Sequence, residues 1–218
     1  MNAGGEGQSM ELRRYLSTRH ANPKQRDFFE NAADRWDESP HDADKVEYIT
    51  DVLRIRPSYK ILDAGTGTGV MIPHYLSRLE NGKVTAVDYS KNMIAAAMSK
   101  YPASENLEYL TADIYGLTWD GVFDRTVCYN CFPHFPDPVK AVEILSRTVK
   151  PEGAFCIAHS SSGEDINHIH DGGGKEIDTD HLPPMHLMEE MFRNAGLKTA
   201  FVRDDGDFYI IEGIRPRI

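Results

Sequence analysis

The 218-residue chain, 40% hydrophobic and 27% charged, is long enough for one globular domain with a sizeable core and too short for two full-sized ones. A formal charge of -10, from 24 Lys and Arg against 34 Asp and Glu with no basic stripe, argues against a nucleic acid partner and for small molecules. No apolar run reaches the roughly 18–20 residues of a membrane helix, the start MNAGGEGQSM lacks the pattern of a signal peptide, and three scattered cysteines suit a reducing compartment, so a cytoplasmic chain without a membrane partner is expected.

Residues 1–22 are polar and Gly-containing up to Asn22-Pro23, which predicts a mobile or loosely docked tail. Residues 23–56 read as a helical cap. In its first helix Phe28, Phe29, Ala32, Ala33 and Trp36 recur at spacings of three and four on one face, with Pro23 suited to a first turn. A second helix, roughly Asp42 to Ile55, carries Val46, Ile49, Val52 and Leu53 and stops at Arg56-Pro57. From 57 to 218 short apolar runs alternate with helical stretches. Strands are predicted at Lys60–Ala64, Lys83–Asp88, Leu107–Thr111, Phe123–Tyr129 and Ala154–His159, and helices at Val70–Leu79, Lys91–Lys100, Val139–Val149 and Met185–Ala195. Lys198–Arg203 and Phe208–Ile214, joined through Asp204-Asp205-Gly206, form a hairpin. The fold expected is a doubly wound, mostly parallel seven-stranded α/β sheet with a C-terminal antiparallel hairpin. Ser160–Pro184, rich in Gly, Asp and His, reads as a long functional loop with a hinge at Gly172-Gly173-Gly174.

The first strand runs straight into Gly65-Thr66-Gly67-Thr68-Gly69 and then a helix. Such glycines allow a sharp turn and close approach of a ligand beside the positive end of a helix dipole. Asp88 ends the next strand, where an acid can accept both hydroxyls of a ribose, and Asp113 follows the strand beyond it. N-capping of the following helices is the competing reading of both acids, but it would not explain the glycine loop as well. Dinucleotide folds favour G-x-G-x-x-G/A, whereas here Val70 occupies the place of the third small residue, which disfavours a nicotinamide cofactor.

In this loop, Asp63-Ala64-Gly65-Thr66-Gly67-Thr68-Gly69, the sequence resembles the class I S-adenosylmethionine-dependent methyltransferases, whose loop is D-x-G-x-G-x-G. The likeness runs from Pro23 onward, takes in Phe28-Phe29 through Trp36-Asp37, and is greatest to the small-molecule branch around ubiquinone and menaquinone biosynthesis. It implies a Rossmann-like fold and S-adenosylmethionine as cofactor. It places Asp63, Gly65, Thr66, Gly67 and Gly69 in the loop beside it, Asp88 on the ribose hydroxyls, Asp113 and Ile114 near the adenine, and Tyr89 and Met93 flanking the adenine face. Tyr129 would border the donor and the acceptor, and Trp36 sits on a helix that covers the pocket. No Asn-Pro-Pro-Tyr-type sequence follows the fourth strand; Tyr129-Asn130-Cys131-Phe132 stands there, which removes the usual mark of amino-nitrogen methylation of bases or glutamine. A non-catalytic cofactor or metal sensor and an NAD(P)-dependent oxidoreductase are the competing readings. No oligomeric state is implied.

Two further features bear on chemistry. Cys128-x-x-Cys131 has metal or redox spacing but lacks a second pair, so packing within a strand is the expected role. Of nine histidines, five fall between His159 and His186, and His134 follows the fourth strand. Three readings of them stand side by side: polar residues of a loop over the substrate, a divalent metal held by His134, His159 and His170, or a single general base, His134 or His159, for a hydroxyl or thiol acceptor.

Overall fold

The computed structural model describes residues 8–19, 22–38, 42–172 and 175–217. Seven strands form one sheet in the order β3-β2-β1-β4-β5-β7-β6. They are β1 (Lys60–Ala64), β2 (Lys83–Asp88), β3 (Leu107–Thr111), β4 (Phe123–Tyr129), β5 (Val149–His159), β6 (Lys198–Asp204) and β7 (Tyr209–Ile214). The first five run parallel, while β7 lies antiparallel between β5 and β6. The expected doubly wound sheet with an antiparallel hairpin is therefore the observed fold. Ile61, Leu62, Val84, Val87, Val127, Cys128, Phe155 and Ile157 are fully buried, as continuous apolar strands covered by helices on both faces must be. Strand order reverses between β1 and β4, and parallel α/β sheets place their ligand crevice outside the strand ends at such a switch point.

The helices are α1 (Met10–Ser17), α2 (Gln25–Ala32), α3 (Ala43–Val52), α4 (Ile72–Leu76), α5 (Lys91–Lys100), α6 (Pro138–Thr148), α7 (Gly163–Gly172) and α8 (Met185–Asn194). Caps explain several starts. Ser90 Oγ accepts from Met93 N at α5, Asp42 Oδ1 from Asp44 N and Lys45 N at α3, and Asp137 Oδ1 from Lys140 N at α6, where Pro138 occupies the first turn. Helix α4 is shorter than the expected Val70–Leu79, because the glycine loop before it takes up Val70 and Met71. The single helix expected through Trp36 tightens into a 3-10 turn at Ala33–Glu38. Strand β5 starts earlier than Ala154, with a register irregularity opposite Phe123 and Arg125.

Two regions depart from expectation. The loosely docked tail does not hold for residues 8–19, while residues 1–7 and 20–21 lie outside the described part. Helix α1 is capped by Ser9 Oγ, and its Leu12 is fully buried in the same core cluster as Phe132, Leu182 and Met188. Tyr15 and Leu16 pack against the same cluster, so Leu12, Tyr15 and Leu16 follow the i, i+3, i+4 spacing of one helical face within an otherwise polar stretch. The second departure is α7, which lies inside the expected loop Ser160–Pro184. There Asn167 exchanges two hydrogen bonds with the Leu182 backbone, and His170 Nδ1 donates to the Asp180 carbonyl, so the helical spacing of these residues prevails over the extended i, i+2 spacing of His168 and His170. Gly173 and Gly174, two thirds of the expected hinge, lie outside the described residues. No helix among those described is long and apolar enough to cross a membrane.

Leu12→Ala should lower stability by about 2–4 kcal/mol through the lost side chain and the cavity it leaves. The check is a shift of the urea midpoint at unchanged slope; a midpoint within error of wild type would show that α1 is not docked.

Candidate active site

The loop between β1 and α4 is wound through left-handed conformations, with φ of +77°, +53° and +87° at Gly65, Gly67 and Gly69. Two positions show what this achieves. A Cβ on Gly65 would lie 2.8 Å from Cys131 Sγ, so glycine is needed where the segment after β4 closes on the loop. A Cβ on Gly67 would meet no atom within 4 Å, because that residue faces open space. Two buried carboxylates hold the turn. Thr66 Oγ1 donates to Asp63 Oδ2 at 2.6 Å, and Gly67 N donates to Asp88 Oδ2 at 2.9 Å, while Asp88 Oδ1 accepts from Ser90 N at 2.9 Å. Burial pushes the Asp63 carboxyl up to about 6, against the hydrogen bonds from Thr66 and Tyr75, and burial also raises Asp88.

The open space is a cavity of about 970 Å3 at the carboxyl ends of β1, β2 and β4. Gly65, Thr66, Gly67, Asp88, Tyr89, Met93, Asp113, Ile114, Tyr129 and His134 all line it. Asp63 and Gly69 do not: Asp63 is only 1% exposed and acts behind the loop as its anchor, which corrects its expected place against the cofactor. Asp113 lines the cavity and also accepts from Tyr115 N as the cap of the following 3-10 turn. Asp88 is not the cap of α5, which is Ser90.

Helix α2 and the turn after it roof the cavity with Phe28, Phe29 and Trp36, Phe29 packing against Trp36, Tyr89 and His134 at ring-centroid distances of 5.5, 6.3 and 4.7 Å. The roof is fastened at both ends. Glu30 accepts from Ser90 Oγ, Lys91 N and Asn92 N, each at 3.0 Å, at the start of α5. At the other end, Gln25 Nε2 donates to Asp180 Oδ2 at 2.6 Å.

The histidines separate by environment. His134, in the 3-10 turn Phe132–His134, lines the cavity. His159 is 2% exposed with Nε2 unpartnered, and burial, followed by the nearness of His134 and His170, pushes it down to about 3. It does not line the cavity, and burial makes it a weak proton acceptor, so the expected role of His159 as the base is withdrawn. His134 and His170 do approach, their rings 5.0 Å apart, yet each spends Nδ1 on Asp180, His134 on the carboxylate and His170 on the carbonyl. Among the described residues no group of three or more His, Cys, Asp or Glu is disposed to hold a metal ion, so the expected His134, His159 and His170 metal site is withdrawn. Cys128 and Cys156 are buried thiols, as expected, and Cys131 Sγ lies at the cavity wall, donating to Ala64 O at 3.2 Å.

Sequence reasoning missed four residues that fasten the roof and the His134 turn: Arg19, Gln25, Glu30 and Asp180. Their partners are distant in the chain and no spacing reveals them. Asn130 was legible, since Asn tolerates the left-handed conformation it adopts at φ +49°, from which its side chain ties β4 to Ser160 after β5.

A glycine-turned loop under a ribose-competent acid, at the switch point of a seven-stranded sheet with a terminal hairpin, defines a class I S-adenosylmethionine-dependent methyltransferase fold. Residues 62–157 match the family described as a methyltransferase domain. The chain is 29% identical over 139 residues to the mitochondrial ubiquinone biosynthesis O-methyltransferase of Dictyostelium discoideum, covering 52% of this chain and 43% of that protein. It is 35% identical over 100 residues to malonyl-acyl-carrier-protein O-methyltransferase 1 of Ilyobacter polytropus, covering 46% and 37%. The chain thus spans less than half the length of these two relatives. Its fold is shared with the crystal structure of a SAM dependent methyltransferase from Aquifex aeolicus, with a TM-score of 0.68 at 20% identity over 85% of this chain and 98% of that one.

His159 yields a pH prediction. Its proton affinity is lowered on folding, so the unfolded chain binds a proton there between about pH 6.5 and 3 and the folded one does not. The associated stability is whole above pH 6.5 and falls as pH drops towards 3. His159→Gln should make this acid limb shallower by about 1.4 kcal/mol per pH unit, read by denaturant titrations at several pH values. An unchanged slope would mean that another group sets it.

Proposed function

We propose that this protein transfers the methyl group of S-adenosylmethionine to a small molecule bound in the roofed cavity. One observation carries this reading: the open space in front of Gly67, bordered by a buried ribose-competent carboxylate and roofed by aromatic side chains. The residues present fit the cofactor. Asp88 keeps free lone pairs for two ribose hydroxyls, Asp113 and the Ile114 backbone suit an adenine edge, and Tyr89 and Met93 suit its faces. The loop at Gly65–Gly67 takes the methionine part. The names of the relatives, both O-methyltransferases, support an oxygen acceptor of small size. The acidity of the chain supports the same against a nucleic acid.

When bound, the cofactor supplies an activated methyl group on a sulfonium. The chain's own work is then alignment and exclusion of water, since in-line displacement demands orientation more than reactive groups. Phe28, Phe29 and Trp36 close the cavity above the loop, while Arg26 donates to the Tyr89 carbonyl at 3.0 Å and keeps α2 seated. Tyr129 and Asn130, both tied to Ser160, fix the wall where β4 ends.

Calorimetric titration tests the cofactor. S-adenosylmethionine should bind the wild-type protein, and Asp88→Ala should weaken it by about 1–3 kcal/mol through loss of a charged acceptor. Gly67→Val should abolish binding, because its side chain enters the cofactor's space from a strained φ. Unchanged affinity in folded Asp88→Ala would remove the ribose role, and release of NAD rather than S-adenosylmethionine or S-adenosylhomocysteine from heat-denatured protein would end the reading.

A further inference from the structure

His134 stands on a platform more elaborate than packing requires. Its Nδ1 is 2.8 Å from Oδ2 of Asp180, a carboxylate only 4% exposed that also takes the Gln25 amide. Arg19 clips the same assembly from α1's end of the chain. Its Nη2 donates to the carbonyls of Pro133 and Phe135, on either side of His134, at 2.5 and 2.9 Å, and its Nη1 donates to the His181 carbonyl next to Asp180 at 2.7 Å. The turn and the carboxylate are thus held to one another by a third residue.

A carboxylate oxygen accepts, so the contact assigns the donor to Nδ1, and a neutral ring in this tautomer has its lone pair on Nε2. No other described residue hydrogen-bonds the ring, and its side chain lines the cavity. The charged and titratable groups around it are Asp180, His170 from α7, His159 from β5 and the Arg19 guanidinium; Tyr15 and Tyr89 flank Asp180. Burial lowers the proton affinity of both His159 and His170, so they stay neutral and do not oppose a positive charge on His134. The other candidate bases are committed elsewhere: Asp88 to the Gly67 and Ser90 amides, and Asp113 to the Tyr115 amide.

We infer that His134 is the general base for an acceptor with an ionisable hydroxyl, and that Asp180 is the positioning residue that sets its tautomer. The acceptor's O–H bond breaks towards Nε2, and the electron pair left on oxygen forms the new bond to the methyl carbon. The pair of the methyl–sulfur bond leaves with sulfur, and the ring ends as an imidazolium against Asp180. This rests on the methyltransferase reading for the donor, but not for the His134–Asp180 pair.

Two measurements test it without turnover. Nitrogen-15 NMR of histidine-labelled wild-type protein at neutral pH should show His134 as the Nδ1–H tautomer, and Asp180→Asn should shift it towards Nε2–H. A wild-type ring found as Nε2–H overturns the inference even if no variant folds. The second uses 4-nitrophenol, whose visible absorption reports its ionisation, with S-adenosylhomocysteine present. Bound to wild type, the dye should ionise at least about tenfold more readily than in His134→Gln, the effect of one charged partner, with Asp180→Asn between them. Equal ionisation in wild type and His134→Gln, or failure of the dye to bind wild type, overturns it. Binding of S-adenosylmethionine is followed separately by calorimetry: its absence from wild type would defeat the donor assignment while leaving the tautomer and dye results to judge the base.

Discussion

Two carboxylates at the ends of adjacent parallel strands grip one glycine loop, and the rest of the site is arranged around that grip. Asp63 and Asp88 finish β1 and β2, and each sends one oxygen to the loop, to the Thr66 hydroxyl and to the Gly67 amide. Ionised groups this deeply buried are costly unless hydrogen-bonded, and the upward push on both carboxyls measures that cost. The loop offsets it with donors that only its left-handed turns can aim at them. The same turns bring Gly65 so near Cys131 that the segment after β4 is set against the loop, and His134 follows three residues later. Floor and wall of the cavity are therefore consequences of one local conformation.

The roof obeys different physics. Helix α2 has a small buried face, essentially Phe29, and is kept in place by polar bonds at its ends, through Glu30 to the start of α5 and through Gln25 to Asp180. Elements held by few apolar contacts and exposed hydrogen bonds are the ones that open at low cost. Glu30 adds a negative charge to the positive end of α5, directly beyond Asp88, so the seating of the roof and the surroundings of Asp88 are linked through one helix end.

What the sequence revealed follows from the range of the interactions. Strands β1 to β4 and the loop are specified by runs of adjacent residues: apolar strands, a glycine spacing, acids at strand ends. All of these could be read, and the structure places nine of the eleven expected cofactor residues on the cavity. Asp63 was misplaced because its position in the motif says that it matters without saying whether it touches ligand or loop. Helix α1 was missed for a different reason: its short apolar pattern, Leu12, Tyr15 and Leu16, lies in a polar stretch whose composition reads as a tail. For the histidines, composition marked the region but not the roles. Burial separates His159 from His134, and burial is settled by how the chain comes together.

The two halves of the site also differ in origin along the chain. The family match covers residues 62–157 and so contains the loop, Asp88, Asp113, Tyr129 and His134. It excludes Arg19, Gln25, His170 and Asp180, which lie just after α1, on α2, on α7 and in the segment before α8. The glycine loop and the acids beside it thus lie in the part of the chain that matches the family, and the surroundings of His134 are built from the parts on either side of it. His134 is where they meet: a residue of the shared part whose ring is oriented by residues outside it. A methyl donor makes the same demands on every enzyme that uses it, whereas each acceptor presents its own atom and its own proton. An acceptor-specific demand is therefore met by the parts of this chain that reach His134 from outside residues 62–157.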